Sequence, residues 1–210
     1  VNISTVSGSF EDDFRNQVKG TENSPEYFAT GISLVAHMNS PKIPAFHFNT
    51  RFLVTDDSWF GGGADLTPTL EDKESINFFH NQMEESCKNY KENAYKEYKK
   101  NCDEYFYLGH RDEPRGAGGI FFDHVNTDNW NKDFDFIKRV GESTHTAITN
   151  IVKNKKDLSW TDEEKDLQLI KRGRYVEFNL IWDRGTLFGL KTGGSTEAIL
   201  MSMPPNAKWD

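Results

Sequence analysis

Residues 44–54 carry the clearest pattern in the chain, an alternation of apolar and polar side chains. The apolar positions are Phe46, Phe48, Phe52 and Val54. The polar positions between them are His47, Asn49 and Arg51. Because successive side chains of a β-strand point to opposite faces, we predict a strand with one buried face and one polar face.

Helices are predicted in four other parts of the chain. One apolar stripe consists of Ile76, Phe79, Met83 and Cys87, and predicts a helix. Further helices are predicted at residues 11–19, 90–105 and 134–151. Thr161 followed by Glu164 resembles a capping box, which predicts the start of one more helix.

The remaining segments are interpreted as strands and loops. Extended segments are predicted at residues 1–10, 31–37, 120–122 and 174–182. Two prolines within 39–44 predict a turn, whereas three consecutive glycines within 56–68 predict a loop that approaches other backbone closely. Glycines punctuate 185–194, and the apolar segment 198–203 has no clear type. Helices interleaved with turn-linked strands favour an α+β fold with an antiparallel sheet, flanked by helices, over a doubly wound fold.

Composition limits the class of protein. A chain of 210 residues with 16 Phe, 7 Tyr and 5 Trp is expected to form one domain with a large aromatic core. The net charge of −8 argues against nucleic-acid binding, and without a long apolar run no membrane span is expected. Cys87 and Cys102 lack CxxC spacing and are interpreted as reduced thiols of a cytoplasmic protein. The first residue is Val1, so we expect the natural N-terminus to lie outside this sequence.

The arginines are few and unevenly placed. The sequence has 17 Lys but only 8 Arg, and six of the arginines lie near glycine-rich turns or strand-like segments. These six are Arg51, Arg111, Arg115, Arg172, Arg174 and Arg184. Arginine holds carboxylates well, so the placement indicates an anionic ligand; structural Arg–Asp pairs are the alternative.

Histidines supply the candidate acid–base chemistry. His47 shares the polar face of its strand with Arg51, which suits recognition of a carboxylate with proton transfer nearby. His37 is predicted to face it across a hairpin, and with His80 and His110 the set could hold a metal. The spacing does not distinguish a metal site from packed histidines. Neither GxGxxG, Walker A, HExxH nor GxSxG occurs, so nucleotide and serine-hydrolase functions have no support.

Several long motifs together resemble the oxygen-dependent coproporphyrinogen III oxidases. They include SLVAH at 33–37, HFNTR at 47–51, WFGGGADLTP at 59–68, residues 105–111, RGAGGIFFD at 115–123, RGRYVEFNLIWDRG at 172–185 and residues 193–205. The resemblance covers nearly all of 1–210 as one catalytic domain. Members normally extend beyond both ends, so the chain is expected to be truncated at both termini. Ser195 stands where bacterial members often have arginine.

The resemblance implies a reaction and partners. Two propionate side chains of coproporphyrinogen III are converted to vinyl groups, giving protoporphyrinogen IX in heme biosynthesis. Molecular oxygen is consumed, and carbon dioxide and hydrogen peroxide are released. No organic cofactor is implied, because the reduced tetrapyrrole can itself supply electrons to oxygen. The implied fold is a large antiparallel sheet flanked by helices on both sides, in a cytoplasmic homodimer with an interface at about 175–210.

The resemblance also implies roles for individual residues. His47 corresponds to the acid–base residue, and Asp183 with Arg184 to catalytic residues, Asp183 accepting pyrrole N–H groups. The implied substrate contacts are Ser33, Asn49, Thr50, Arg51, Gly193, Gly194 and Ser195. The positions implied for a divalent metal such as manganese are His37, His47, His80 and His110. Two alternatives stay open, a metal-dependent oxygenase acting on another anionic substrate and a non-catalytic tetrapyrrole-binding protein.

Overall fold

A five-stranded antiparallel sheet lies at the centre of the computed structural model, which describes residues 1–10, 15, 18–191 and 194–210. Its strands, in chain order, are β1 (Asn2–Ser9), β2 (Glu26–Ala36), β3 (Ala45–Val54), β4 (Ser58–Thr67) and β7 (Gly118–Val125). Each strand pairs with the next in this order. Two short strands, β5 (Tyr107–Leu108) and β6 (Glu113–Pro114), form a separate hairpin.

Helices cover both faces of this sheet. They are α1 (Lys73–Cys87), α2 (Ala94–Tyr105), α3 (Trp130–Lys155), α4 (Asp162–Ile181), α5 (Arg184–Lys191) and α6 (Thr196–Ile199), followed by a 3₁₀ turn (Leu200–Ser202). Helices α1–α3 pack on one face, and α4 with the segments after it lies over the other. The predicted α+β class is therefore confirmed.

The main hydrophobic core lies between the sheet and helices α1–α3. Phe79 from α1 and Phe136 from α3 are fully buried there, and Phe46, Phe48 and Phe52 of β3 pack against the same cluster. Burial of one large apolar side chain stabilises the fold by about 1.5–3 kcal/mol. The predicted strand over 44–54 and its buried face are thus confirmed.

The predicted loop over 56–68 is wrong, because Ser58–Thr67 form β4, which lies between β3 and β7 in the sheet. Gly61, Gly62 and Gly63 have no side chains, so the apolar–polar alternation that marks a strand is interrupted. Pairing with β3 on one side and β7 on the other satisfies the backbone of this segment.

The predicted strand over 174–182 is also wrong, because it forms the second half of α4. Its aromatic and β-branched residues favour a strand locally, but the capping box at Thr161 and Glu164 is confirmed and starts a helix that continues through it. Tyr175, Phe178 and Asn179 are buried at helical spacing. The glycine-punctuated stretch 185–194 likewise contains α5, and 198–203 contains α6 and the 3₁₀ turn.

Other predicted elements are present with adjusted bounds. The helix predicted at 90–105 begins at Ala94, the one at 134–151 extends over all of α3, and the strand predicted at 120–122 is the longer β7. Residues 39–44 join β2 to β3 as a hairpin connection. Most of the helix predicted at 11–19 lies outside the described residues. None of the helices in the described ranges is long and apolar enough to span a membrane.

Glu177 of α4 is hydrogen-bonded to side chains of the loop between β5 and β6. Its carboxylate accepts hydrogen bonds from Arg111 Nε and His110 Nε2, both at 2.8 Å, and from Trp209 Nε1 at 2.9 Å. The hydrogen bonds from Arg111 lower the pKa of Glu177 from its ordinary value of 4.5 to about 2.

Glu177 should therefore make the free energy of unfolding depend on acid pH. Because its folded-state pKa is depressed, its contribution is complete above about pH 4.5 and is lost as pH falls towards 2. We expect Glu177→Gln to lower the melting temperature at pH 7 and to flatten its decline between about pH 5 and pH 2. Glu104→Gln, at an exposed carboxylate 3.6 Å from Lys100, is the control in circular-dichroism melts. Parallel pH curves for wild type and Glu177→Gln would contradict this prediction.

Candidate active site

A cavity of about 640 Å³ lies between the polar face of the sheet and the C-terminal helices. All five strands of the sheet contribute to its floor, and α4 with the residues that follow it forms the opposite wall. This volume lies within the range of about 300–1,000 Å³ that is usual for small-molecule sites. Aromatic side chains contribute much of the lining, namely Phe10, Tyr27, Trp59, Tyr105, Phe106, Phe121 and Tyr175.

His47 lies on the cavity floor and is held at both ring nitrogens. Nδ1 lies 2.8 Å from Asp65 Oδ1, and Nε2 lies 3.1 Å from the amide nitrogen of Asn49. An ionised carboxylate only accepts hydrogen bonds, so His47 Nδ1–H donates to Asp65, and in the neutral ring Nε2 then accepts from the Asn49 amide. The ring therefore has a defined tautomer, with Nε2 as the basic nitrogen beside Asn49.

Asp65 is also paired with Arg115, and both side chains are buried. Burial by itself would raise the pKa of Asp65, but the Arg115 guanidinium and the His47 hydrogen bond hold it below its ordinary value. Asp65 is therefore an ionised group beneath His47 at neutral pH.

Arg51 crosses the floor to reach a carboxylate two strands away. Its guanidinium lies 2.8 Å from Asp123 Oδ2 of β7, and its side chain passes over Gly61 of β4. A Cβ atom at Gly61 would lie 2.9 Å from Arg51 Nε and 2.8 Å from Asp123 Oδ1. The absence of a side chain at Gly61 is therefore what allows Arg51 to lie along the floor.

Asp183 caps the N-terminus of α5. Its Oδ2 accepts from Thr186 N–H at 2.8 Å and from Thr186 Oγ1 at 2.7 Å, and its Oδ1 accepts from the Tyr105 hydroxyl at 2.8 Å. Burial, followed by the charge of Asp183, raises the pKa of Tyr105 to about 12, so this hydroxyl remains a donor. A carboxylate has about four acceptor positions, and three are occupied. Asp183 therefore keeps about one position for a ligand N–H group.

Arg184 lines the cavity next to Asp183, but its guanidinium lies over the Tyr105 ring and does not pair with that carboxylate. Its guanidinium lies 4.9 Å from the centre of the Tyr105 ring, and its backbone N–H donates to the Tyr105 hydroxyl at 3.2 Å. In the part of the chain that the structure describes, no carboxylate forms a salt bridge with Arg184. It is thus the cavity cation best suited to bind a ligand carboxylate.

The other predicted substrate contacts are distributed differently. Ser33 and Asn49 are paired across β2 and β3 and both line the cavity. Thr50 is adjacent in β3 and so directs its side chain to the opposite face. Gly194 and Ser195 lie outside the lining, with Ser195 capping α6, whose residues Ala198 and Ile199 line the cavity. Gly193 lies outside the described residues.

The four histidines implied for a metal do not converge. His37 Nε2 donates to Ser202 O at 2.9 Å, and the strand register pairs His47 with Val35 rather than with His37. His80 bonds to Ala117 O and Tyr95, and His110 to Glu177 and Trp182. Over residues 1–10, 15, 18–191 and 194–210, no three His, Cys, Asp or Glu side chains could hold a metal ion together. The residues therefore do not fit the implied metal.

Sequence reasoning did not identify several residues that shape the cavity. Asp65 lies in the segment that was predicted to be a loop. On strand β4 it is two residues after Gly63, so both positions are on the strand face that carries His47 and Asn49 in β3. Tyr105 had no role, although it contacts both Asp183 and Arg184. Asn179, which bonds to Ser202 Oγ at 2.9 Å, was placed on a strand that is a helix.

Comparison with known proteins identifies the group to which the chain is related. The family model described as coproporphyrinogen III oxidase matches residues 1–210. An oxygen-dependent coproporphyrinogen-III oxidase of Rickettsia bellii (strain OSU 85-389) is 56% identical over 209 residues. Those of Rickettsia africae (strain ESF-5) and Rickettsia akari (strain Hartford) are 55% and 54% identical over 210 residues. Each alignment covers 100% of this chain and 75% of the relative. The chain belongs to the coproporphyrinogen III oxidase family.

Proposed function

We propose that this protein converts two propionate side chains of coproporphyrinogen III to vinyl groups with oxygen as electron acceptor, in heme biosynthesis. Each conversion takes one propionate, one O₂ and one proton to one vinyl group, one CO₂ and one H₂O₂. The observation that carries the proposal is the aromatic-lined cavity that unites His47, Arg51, Asp183 and Arg184 in a member of this family.

The cations of the cavity suit an anionic substrate. Arg184 is available for a propionate, and Arg51 can bind one while shared with Asp123. Ser33 and Asn49 offer neutral hydrogen-bonding groups on the same floor. The aromatic lining suits the faces of a tetrapyrrole. We propose Gly193, Gly194 and Ser195 as substrate contacts near the start of α6. The side chain of Thr50 lies on the opposite face of the sheet, so we propose that Thr50 acts only by positioning its neighbours in β3.

His47 and Asp183 are proposed to carry the chemistry. His47 Nε2 is unprotonated in the tautomer that Asp65 fixes, so it can take a proton from the substrate, or return one, when the substrate replaces Asn49 as its hydrogen-bond partner. The fourth acceptor position of Asp183 suits a pyrrole N–H and would hold the ring system over the floor. Electrons pass from the reduced tetrapyrrole to oxygen, so no organic cofactor is required.

Incubation of the purified protein with coproporphyrinogen III in air and under anaerobic conditions tests this proposal. We expect protoporphyrinogen IX, two equivalents of CO₂ and oxygen uptake in air, and unchanged substrate without oxygen. Binding of the substrate without product in air would instead make the protein a tetrapyrrole carrier. Product formation without oxygen would exclude oxygen as the acceptor.

Removal of divalent metal is expected to leave substantial activity, because the four candidate histidines have separate hydrogen-bond partners. The measurement is kcat after dialysis against a chelator, with metal content determined on the same sample. Manganese is added back as the control. Loss of all activity that manganese alone restores would contradict this prediction and favour a metal-dependent oxygenase.

We further propose that the protein works in the cytoplasm as a homodimer with an interface at about 175–210. This segment exposes large apolar side chains, with Leu180, Ile181, Trp182 and Leu190 each 40–50% exposed. A second copy of the chain would cover them. Light scattering coupled to size-exclusion chromatography measures the mass, and Trp182→Glu should shift it towards the monomer if this interface is correct.

A further inference from the structure

We propose that Asp65 and Arg115 are a buried positioning pair that fixes the tautomer and orientation of His47 for proton transfer. This inference rests on the proposed function, because it assigns the two residues a role through His47. Neither residue is placed to act on the substrate directly, since Asp65 is 2% and Arg115 is 4% exposed.

The strand register supplies the first support. Asp65 of β4 is paired directly with His47 of β3, so the two side chains share the cavity face. Asp65 Oδ1 lies 2.8 Å from His47 Nδ1, and Asn49 binds the opposite nitrogen. The bond to ionised Asp65 selects the Nδ1–H tautomer, and an Asn49 amide N–H directed at Nε2 is compatible with it.

The surroundings of Arg115 supply the second support. Its guanidinium lies 4.0 Å from the ring centre of Phe106, 4.3 Å from that of Tyr175 and 4.8 Å from that of Phe178. These rings stabilise the cation and exclude water. Asp65 is the carboxylate that pairs with Arg115 among the described residues. The guanidinium thus holds the second oxygen of Asp65 and leaves the first for His47.

Stability alone explains this arrangement poorly. A buried ion pair loses so much hydration that well-packed apolar residues of similar volume are often as stabilising or more so. The pair therefore needs a reason beyond the free energy of unfolding, and contact with a cavity histidine supplies one.

Histidine NMR tests the pair without relying on activity. The ring nitrogens of ¹⁵N-histidine-labelled protein distinguish the two tautomers at pH 8, and His47→Gln assigns the His47 signals. We expect the Nδ1–H tautomer in wild type and a mixture or the Nε2–H tautomer in Asp65→Asn.

The kcat of Asp65→Asn should fall at least about tenfold, while KM changes by less than about threefold. The single variant leaves the charge of Arg115 unpaired and could unfold for that reason. In that case the double variant Asp65→Asn with Arg115→Gln, which removes both charges, is measured instead.

Asp133→Asn is the matched control. Asp133 is 2% exposed and accepts hydrogen bonds from Tyr90 and Thr127 among α1–α3, so its loss should lower stability without changing the His47 tautomer. The Nε2–H tautomer in wild type, an unchanged tautomer in the folded Asp65 variants, or an unchanged kcat would each overturn the inference. An active His47→Gln would instead refute the proposed role of His47, while the tautomer measurement would still report on Asp65.

Discussion

Replacement of His47 with alanine is expected to lower kcat by about 10²–10⁴-fold, the usual contribution of a general acid–base group. The imidazole lies on the cavity floor with Nε2 beside Asn49. His124 also lines the cavity, but it lies against Trp59, with ring centres 4.9 Å apart, and has no hydrogen bond to Asp65, so it is not placed to replace His47. The variant should fold, because Asp65 keeps Arg115 as its ionic partner.

The measurement is the rate of porphyrin formation under air with saturating coproporphyrinogen III, together with the melting temperature. His145→Ala is the control, since His145 is an exposed residue of α3 outside the cavity lining. A folded His47→Ala variant with nearly normal kcat would remove His47 from the mechanism.

Asp183→Asn should lower kcat/KM at least about tenfold, which corresponds to about 1.4 kcal/mol of transition-state stabilisation. Asparagine is also a good N-cap residue, so the hydrogen bonds to Thr186 can persist while the negative charge at the cavity is lost. The melting temperature should therefore change by only a few degrees.

Asp183→Ala separates the two roles of this carboxylate. It removes the charge and the cap together, and the lost cap should cost about 0.5–2 kcal/mol of stability. Kinetics and thermal melts on both variants provide the comparison. Strong destabilisation of Asp183→Asn, with kcat/KM preserved in the folded fraction, would show that Asp183 is structural.

The floor of the site was predictable because its signal is local. Alternation in β3 alone places His47, Asn49 and Arg51 on one face, and the structure puts that face on the cavity. The contacts of these residues were not predictable, because they come from other strands. Asp65 and Asp123 reach them only through the register of β4 and β7.

The opposite wall was mispredicted because local preference and tertiary context disagree there. Residues 174–182 have the composition of a strand, but the helix begins 13 positions before Arg174, at its cap Thr161, and packs Tyr175 and Phe178 over the sheet. On a strand, Asp183 would share a face with Glu177 and Asn179. As a helix, α4 ends before Asp183, which leaves that residue free to start α5.

Gly61 has a consequence for attempts to stabilise this protein. Replacement of glycine by alanine is a common route to higher melting temperature, because it restricts the unfolded chain. At Gly61 the added methyl group would stand between Arg51 and Asp123, where less than 3 Å is available to each. An alanine introduced at Gly61 to raise the melting temperature would therefore displace Arg51 from the cavity floor.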